Sequence, residues 1–361
     1  MKHNFRRVIA ASVASLAIIA PLSAPNGLTN LVRPITASAL VSGFDGIVEK
    51  QISSGIKLKF AVDDSNNTCS VVGSDITVSA ATVTVPDTIT YNGKTYTVTS
   101  VGYLAFENQT NLRSIIGAKH IKTIEAGAFR NCTELWNISL FNGTYSDGNP
   151  KGSVETIKEC AFENCTGIKD THFLQSAKYI GAHAFWGSGI GNVFLRDVYS
   201  IGQAAFYDCT KVSNISLYGS HLKNIPDFAF YNCKNANSIS LPNSVKTIGK
   251  TAFANCDRVE ELVLPNSVKK IDTGAFMECD RLKTVDTYHI EEVKDHAFFN
   301  CPKMIKFSTS YKDTALGEYS LGWHLENTLP FKNTGFYIEA PAGGATQAYA
   351  YVNGMIFIPK S

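Results

Sequence analysis

Ile248-Gly249-Lys250-Thr251-Ala252-Phe253-Ala254-Asn255-Cys256 leads into Val259-Glu260-Glu261-Leu262-Val263-Leu264-Pro265-Asn266-Ser267-Val268-Lys269-Lys270-Ile271, where the same phrase begins again. Sliding the chain along itself places nine Ala-Phe pairs at one point of that phrase: Ala105-Phe106, Ala128-Phe129, Ala161-Phe162, Ala184-Phe185, Ala205-Phe206, Ala229-Phe230, Ala252-Phe253, Ala275-Phe276 and Ala297-Phe298. They recur every 21 to 24 residues, with one interval of 33 between Phe129 and Phe162. Self-similarity at a period of this size is the mark of a solenoid, in which one unit cannot bury its apolar face alone and stacking buries a continuous core. Function is therefore to be sought among the things a stacked repeat can do.

Each unit reads roughly I-G-x-x-A-F-x-x-C-x-x-L-x-x-I-x-L-P-x-S-V-K-x-I. Its L-x-x-I-x-L part ends in the apolar-polar alternation of a short strand with one buried face. Leu135-Ile138-Leu140, Val212-Ile215-Leu217, Ala236-Ile239-Leu241 and Val259-Leu262-Leu264 occupy the inward places. Pro242 and Pro265 end two of these strands, since proline has no N–H to donate to a ladder. A second short strand follows, as in Val245-Lys246-Thr247-Ile248. Glycines at 102, 181, 202 and 249 suit a turn into the Ala-Phe segment, itself expected to be a short helical turn or irregular coil with Ala and Phe pointing inward. Stacked at the strand spacing of about 4.7–4.9 Å, nine coils make a rod or arc on the order of 40 Å long, with the Phe side chains as a continuous column.

L-x-x-I-x-L joined to V-x-x-I-G-x-x-A-F-x-x-C resembles the BspA-like (Treponema-type) class of leucine-rich repeat, over about residues 58–361. The resemblance implies a β-rich repeat solenoid of about nine coils of ~23 residues. It also implies the company of surface or secreted binding and adhesion proteins with diverse partners. It says nothing of which partner.

Taken in order, residues 1–39 read as an export signal: Lys2, Arg6 and Arg7 precede an apolar core from Val8 to Leu22, and Ala37-Ser38-Ala39 fits the small-residue rule for cleavage better than Leu22-Ser23-Ala24 before Pro25. The rival reading is a membrane anchor, but the run is broken by Pro21 and falls short of the roughly 18 apolar residues that a span needs. Residues 40–99 do not repeat; Ile56–Val62, Ile76–Val78, Ala81–Pro86 and Lys94–Val98 alternate as strands, and Tyr91-Asn92-Gly93-Lys94 supplies a hairpin turn. This segment is placed to cap the first coil. Asp63-Asp64-Ser65-Asn66-Asn67 suggests calcium, but Thr68 stands where an EF-hand loop needs Gly and Ser74 where it needs Glu, which favours a solvated turn. Residues 100–309 are the leucine-rich repeats. The long interval is explained by Phe141–Gly152, a turn-rich insertion between two strands of one coil. Residues 310–361 leave the pattern: Thr334–Ile338 as a strand, Ala345–Val352 as a short helix and Met355–Ile358 as a final strand are similar to the family's closing segment and serve as a C-terminal αβ cap. No sorting signal or second apolar span follows, so the product is expected to be released or held at the surface non-covalently.

Thirty-three basic against thirty-one acidic residues give a formal charge of +2 without long runs, which argues against nucleic acid as a partner. Nine cysteines in an exported chain ordinarily suggest disulfides. Here Cys132, Cys165, Cys209, Cys233, Cys256, Cys279 and Cys301 are one repeat position copied seven times, with Gln109 and Ser188 in the other two coils. Parallel, in-register side chains fit poorly the near-90° dihedral of a disulfide, so buried thiols are expected. Cys69 and Cys160 lie off this column, and Cys160, in the place of Gly127 or Gly274, is expected in the core.

No catalytic constellation survives inspection. His183 and His296 share one repeat position and read as repeat variants; His172 is expected on a strand's outward face, two residues from Asp170, with no G-x-S-x-G to complete a triad. No phosphate loop, H-E-x-x-H or converging cysteine cluster calls for a cofactor or a metal. The chain is read as a binding protein rather than an enzyme. The residue after the repeat Phe runs Glu107, Arg130, Glu163, Trp186, Tyr207, Tyr231, Ala254, Met277, Phe299; three charged members imply that the position reaches solvent, which would make Trp186, Tyr207 and Tyr231 an aromatic stripe unless the rings lie flat and seal the Phe column. A second candidate surface is the outward side of the L-x-x-I-x-L strands, carrying Ser139, His172, Phe194, Ser216, Ser240, Val263 and Asp286, with Trp136 at the start of one of them. The partner expected first is an extracellular or cell-surface protein bound by a monomer. A glycan is the second reading and a passive envelope scaffold the third.

Overall fold

A computed structural model describes residues 44–144, 150–169 and 171–360. The export signal expected over 1–39 and the centre of the insertion, 145–149, lie outside the described residues. Each coil has three sides, and every one is built by the same rule: the backbone of one coil hydrogen-bonds to the next.

The first side is the parallel sheet of the L-x-x-I-x-L strands. Asn192–Phe194, Asn214–Ser216 and Ser238–Ser240 pair in register, so that Val193, Ile215 and Ile239 stand side by side facing inward. Glu261–Val263, Thr284–Asp286 and Lys306–Ser308 repeat the arrangement through Leu262, Val285 and Phe307. The second side carries two-residue strands, Thr123–Ile124, Thr156–Ile157, Tyr179–Ile180 and Ser200–Ile201, whose isoleucines form another buried row. The third side is the Ala-Phe turn. There Phe206 N–H donates to the carbonyl of Ala229 and Phe253 N–H to that of Ala275, each at 2.8 Å. The Phe rings consequently stack from Phe106 to Phe298 with centroids 5.1–5.3 Å apart and planes within 12° of parallel. All are buried.

Two details of the coil differ from the sequence reading. The glycines before the Ala-Phe segment are not there for a left-handed turn. A Cβ on Gly202 would sit 2.2 Å from the Ala182 nitrogen, and one on Gly181 2.6 Å from that of Glu159, so glycine is required by the close approach of neighbouring backbones. The left-handed positions lie elsewhere, two residues before and two after each Phe. Leu104, Cys160, His183, Ala204, Phe228, Thr251 and His296 occupy the first with φ of 46–59°; Asn108, Asn131, Asn164, Asp208, Asn232, Asn255, Glu278 and Asn300 occupy the second with φ of 57–61°. Asparagine tolerates this region better than most side chains, which accounts for its recurrence at the second position.

The stack runs past the nine coils marked by Ala-Phe to about eleven turns. At the N-terminal end Ala81–Val85 already pairs in parallel with Leu112–Gly117. At the C-terminal end Tyr337–Ala340 and Ile356–Pro359 extend the same sheet beyond Lys306–Ser308. These outer turns lack the Phe phrase and so were invisible to the repeat. Ahead of them, Gly46–Ser53, Ile56–Asp63 and Thr68–Ile76 form antiparallel neighbours, and Thr88–Tyr91 folds back on Lys94–Val101 through Asn92 and Gly93, both with positive φ. Gly46–Ser53 and Thr68–Ile76, and the hairpin of Trp323–Glu326 with Leu329–Lys332, had no counterpart in the sequence reading. The helix Ala345–Val352 lies where it was expected. No helix among the described residues is long and apolar enough to cross a membrane.

The seven column cysteines are buried with free thiols. Each S–H donates across the stack to the Phe carbonyl of the preceding coil: Cys132 to Phe106 and Cys165 to Phe129 at 2.9 Å, Cys209 to Phe185 at 3.0 Å, and Cys301 to Phe276 at 3.2 Å. Burial pushes the Cys132 and Cys209 thiols up to about 12. Cys160 is half-buried rather than in the core; it stands on a left-handed backbone (φ 53°) beside Glu163.

Candidate functional site

The first side loses its strand pairing twice, between Ser238–Ser240 and Glu261–Val263 and, with a change of element, earlier in the insertion region. Between Asn137–Ser139 and Asn192–Phe194 the chain makes a 3-10 helix, His172–Ser176, instead of a strand. The insertion of the preceding coil explains the substitution. Its arms, Phe141–Thr144 and Pro150–Gly152, pair as a hairpin, and a Cβ on Gly152 would meet Ser176 Oγ at 2.5 Å. His172 is thus the first residue of this helix and not a member of the outward strand row. Asp170, its expected partner, lies outside the described residues.

Trp136 and Phe194 flank this interruption on the outer side of the sheet, two coils or about 10 Å apart along the stack. Trp136 is 50% exposed and Phe194 42%. Further along the same side, Val263 is 59% exposed and Ile305, in the repeat position of Trp136, 45%. Between these apolar groups the outward row is a hydrogen-bonded polar ladder: Asn214 Nδ2 donates to Asn192 Oδ1 at 2.9 Å and Ser238 Oγ to Asn214 Oδ1 at 2.8 Å. Side chains held in this way cost less order on binding than free ones.

Trp136 stands in a shallow depression of about 260 Å³ lined by Arg113, Thr133, Glu134, Gly167 and Lys169. Arg113, Trp136 and Lys169 occupy one repeat position in three successive coils. Gly167 is the physical origin of the hollow. A Cβ there would lie 2.7 Å from the Thr133 carbonyl oxygen, so no side chain fills the place that Glu134 fills one coil earlier. Arg113 Nη2 reaches Glu134 Oε2 at 3.8 Å, with both side chains more than half exposed.

The row after the repeat Phe is arranged differently from its sequence reading. Its charged members do not reach out to solvent. Arg130 donates through Nε to Glu107 at 2.7 Å, both are 21% exposed, and Glu163 is only 7% exposed. Burial raises the Glu163 carboxyl, against the hydrogen bond from Cys160 and the attraction of Arg130. Trp186, Tyr207 and Tyr231 continue this row half-buried. The Trp186 and Tyr207 ring centroids are 4.5 Å apart and tilted by 41°; those of Tyr207 and Tyr231 are 4.7 Å apart and within 15° of parallel. The ring three residues upstream closes the other flank, His183 against Trp186 and Phe228 against Tyr231. The faces of these rings are therefore turned onto one another, and burial pushes the Tyr207 hydroxyl up to about 12. The two histidines of the left-handed position, His183 and His296, are lowered by burial.

An exposed aromatic row that sequence reading missed lies on the second side. Tyr179 and Tyr199 are 49% and 51% exposed with centroids 6.1 Å apart, and Tyr199 stacks on His221 at 4.6 Å. Its members sit at different offsets from the repeat Phe, so no column of the repeat revealed them. In the acidic turn at 63–67, Asp63 accepts from Ser65 and Asn66, so its carboxylate satisfies the turn itself.

Comparison with known proteins places the repeats. The BspA type leucine rich repeat region matches in six copies over residues 149–221 and 200–324. Among solved structures, a leucine-rich repeat protein from Bacteroides ovatus shares 20% identity with a TM-score of 0.50, covering 78% of this chain and 83% of its own. A leucine rich cell surface protein from Faecalibacterium prausnitzii shares 17% identity over 74% of this chain and 96% of its own, with a TM-score of 0.31. The pneumococcal vaccine antigen PcpA shares 16% over 88% and 99%, with a TM-score of 0.37. No curated protein matches.

Proposed function

Because the repeats of this chain belong to the BspA type of leucine-rich repeat, we propose that it is a secreted or cell-surface binding protein whose ligand is another protein, met by the outer side of the first sheet. The observation that supports this most is the set of large apolar side chains standing out from a rigid polar ladder: Trp136, Phe194, Val263 and Ile305. Apolar anchors surrounded by polar groups are what protein interfaces use for affinity. Trp186, Tyr207 and Tyr231 are assigned a lesser part, at the rim of such a contact, because only their edges are offered. A sugar platform on those three rings is disfavoured for the same reason, since stacking on a sugar requires a free ring face. The chain acts as a monomer without a cofactor, by shape rather than by chemistry.

The test immobilises the purified protein and offers extracellular-matrix proteins in turn, beside a Phe194→Ala, Val263→Ser variant of equal melting temperature. Saturable binding that the variant weakens at least severalfold is expected. A partner that binds the variant as well as the parent would move the interface elsewhere. Silence of the folded parent across the whole set would sink the adhesion reading.

A further inference from the structure

We propose that the depression at Trp136 is a binding site for a sugar ring carrying a carboxylate. The inference rests on reading the outer side of the first sheet as the binding face, and adds a second ligand class to it. Three features of the hollow select this chemistry. Trp136 is half exposed and stacks on no other ring among the described residues, which leaves apolar indole surface for the C–H face of a pyranose. Arg113 and Lys169 stand on either side of it along the stack and bring two cations to a site with one carboxylate, Glu134. Lys169 lines the hollow with an ammonium group that can donate to an incoming anion. The two cations in the lining favour an acidic over a neutral sugar, and hydrogen bonds to an ionised partner are the stronger kind.

Thr133 and Glu134 complete the site by accepting from sugar hydroxyls. The volume of about 260 Å³ holds one ring and little more. The missing side chain at Gly167 is what keeps the site open. The aromatic row at 186, 207 and 231 shows the contrast, with its ring faces already used by neighbouring rings.

The experiment uses the full chain and sialyllactose, glucuronate and lactose as probes. Saturation-transfer NMR on the unmodified protein reports which sugars bind. Fluorescence of a Trp186→Phe, Trp323→Phe variant, in which Trp136 is the only remaining tryptophan, reports where. At least one of the two acidic sugars is expected to saturate, lactose to stay silent, and Lys169→Ala to weaken binding by roughly tenfold, the loss of one charge-assisted hydrogen bond. A response to lactose equal to that of the acidic sugars, indifference to Lys169→Ala, or no saturation by either acidic sugar would overturn the proposal. These outcomes are independent of the protein-binding assay, where Phe194 and Val263 carry the readout. Sugar silence with intact protein binding removes this site alone, and sugar binding without any protein partner removes the adhesion reading alone.

Discussion

At the scale of single residues the repeat places strain and burial where one copy of the unit departs from the others. Glu278 holds the left-handed position that asparagine holds in six other coils, at φ 59°, and burial with Asp280 nearby raises its carboxyl. Glu278→Asn relieves both penalties, and a gain of about 1 kcal/mol in urea unfolding is the expected result. No gain, or a loss, would show that the hydrogen bond between the Glu278 carboxylate and Asn255 and the attraction of Lys234 outweigh both penalties. Glu163 gives the pH dependence. Its folded pKa is raised, so its ionised form opposes folding at neutral pH, and that penalty disappears as the pH falls through the carboxyl range. Glu163→Gln is accordingly expected to melt no lower than the parent at neutral pH, and to lose its relative advantage on acidification. A variant that is worst at neutral pH would mean that the hydrogen bond from Cys160 and the attraction of Arg130 together outweigh burial. The column thiols are closed to solvent, so a thiol reagent should find none of the seven in the native protein and all of them in denaturant.

At the scale of elements the Phe stack is the spine. Phe253 sits between Phe230 and Phe276 at 5.2 and 5.3 Å with no exposed surface. Phe253→Ala should cost about 3–5 kcal/mol. A cost below about 1 kcal/mol would mean that the coils close over the gap. The strands on either side depend on this column, since each is two or three residues long and could not hold alone. Repeat strands, the hairpin at Asn92-Gly93 and the helix Ala345–Val352 were legible because hydrophobic period and turn chemistry are local properties. The 3-10 helix at His172–Ser176 was not. Phe173 and Leu174 read as strand residues, and only the hairpin of the preceding coil, pressed against Ser176, withholds the room for a strand.

At the scale of the whole molecule the chain is quasi-one-dimensional, and its ends decide whether the middle survives. Tyr337–Ala340 and Ile356–Pro359 cover the edge of Lys306–Ser308, while Asn333 Nδ2 donates to the carbonyls of Cys301 and Met304 at 2.7 and 2.9 Å. Removing residues from 333 onward bares Phe307 and these carbonyls together. The truncated chain is expected to melt well below the parent or to aggregate. A truncated monomer with an unchanged melting temperature would show that the last coil needs no cover.

The sequence by itself determined the solenoid, its period, the Phe and Cys columns and the inward face of every repeat strand, because a structure in which each unit contacts only its neighbours writes each contact into the spacing. Only the tertiary structure decided which columns meet solvent. Charge at 107, 130 and 163 suggested exposure, yet Arg130 and Glu107 pair with each other across coils and Glu163 is buried. Trp136 is open because Gly167, one coil away, leaves a place empty beside it. Exposure belongs to pairs of coils rather than to one, and a repeat read along the chain does not show what its neighbour leaves uncovered.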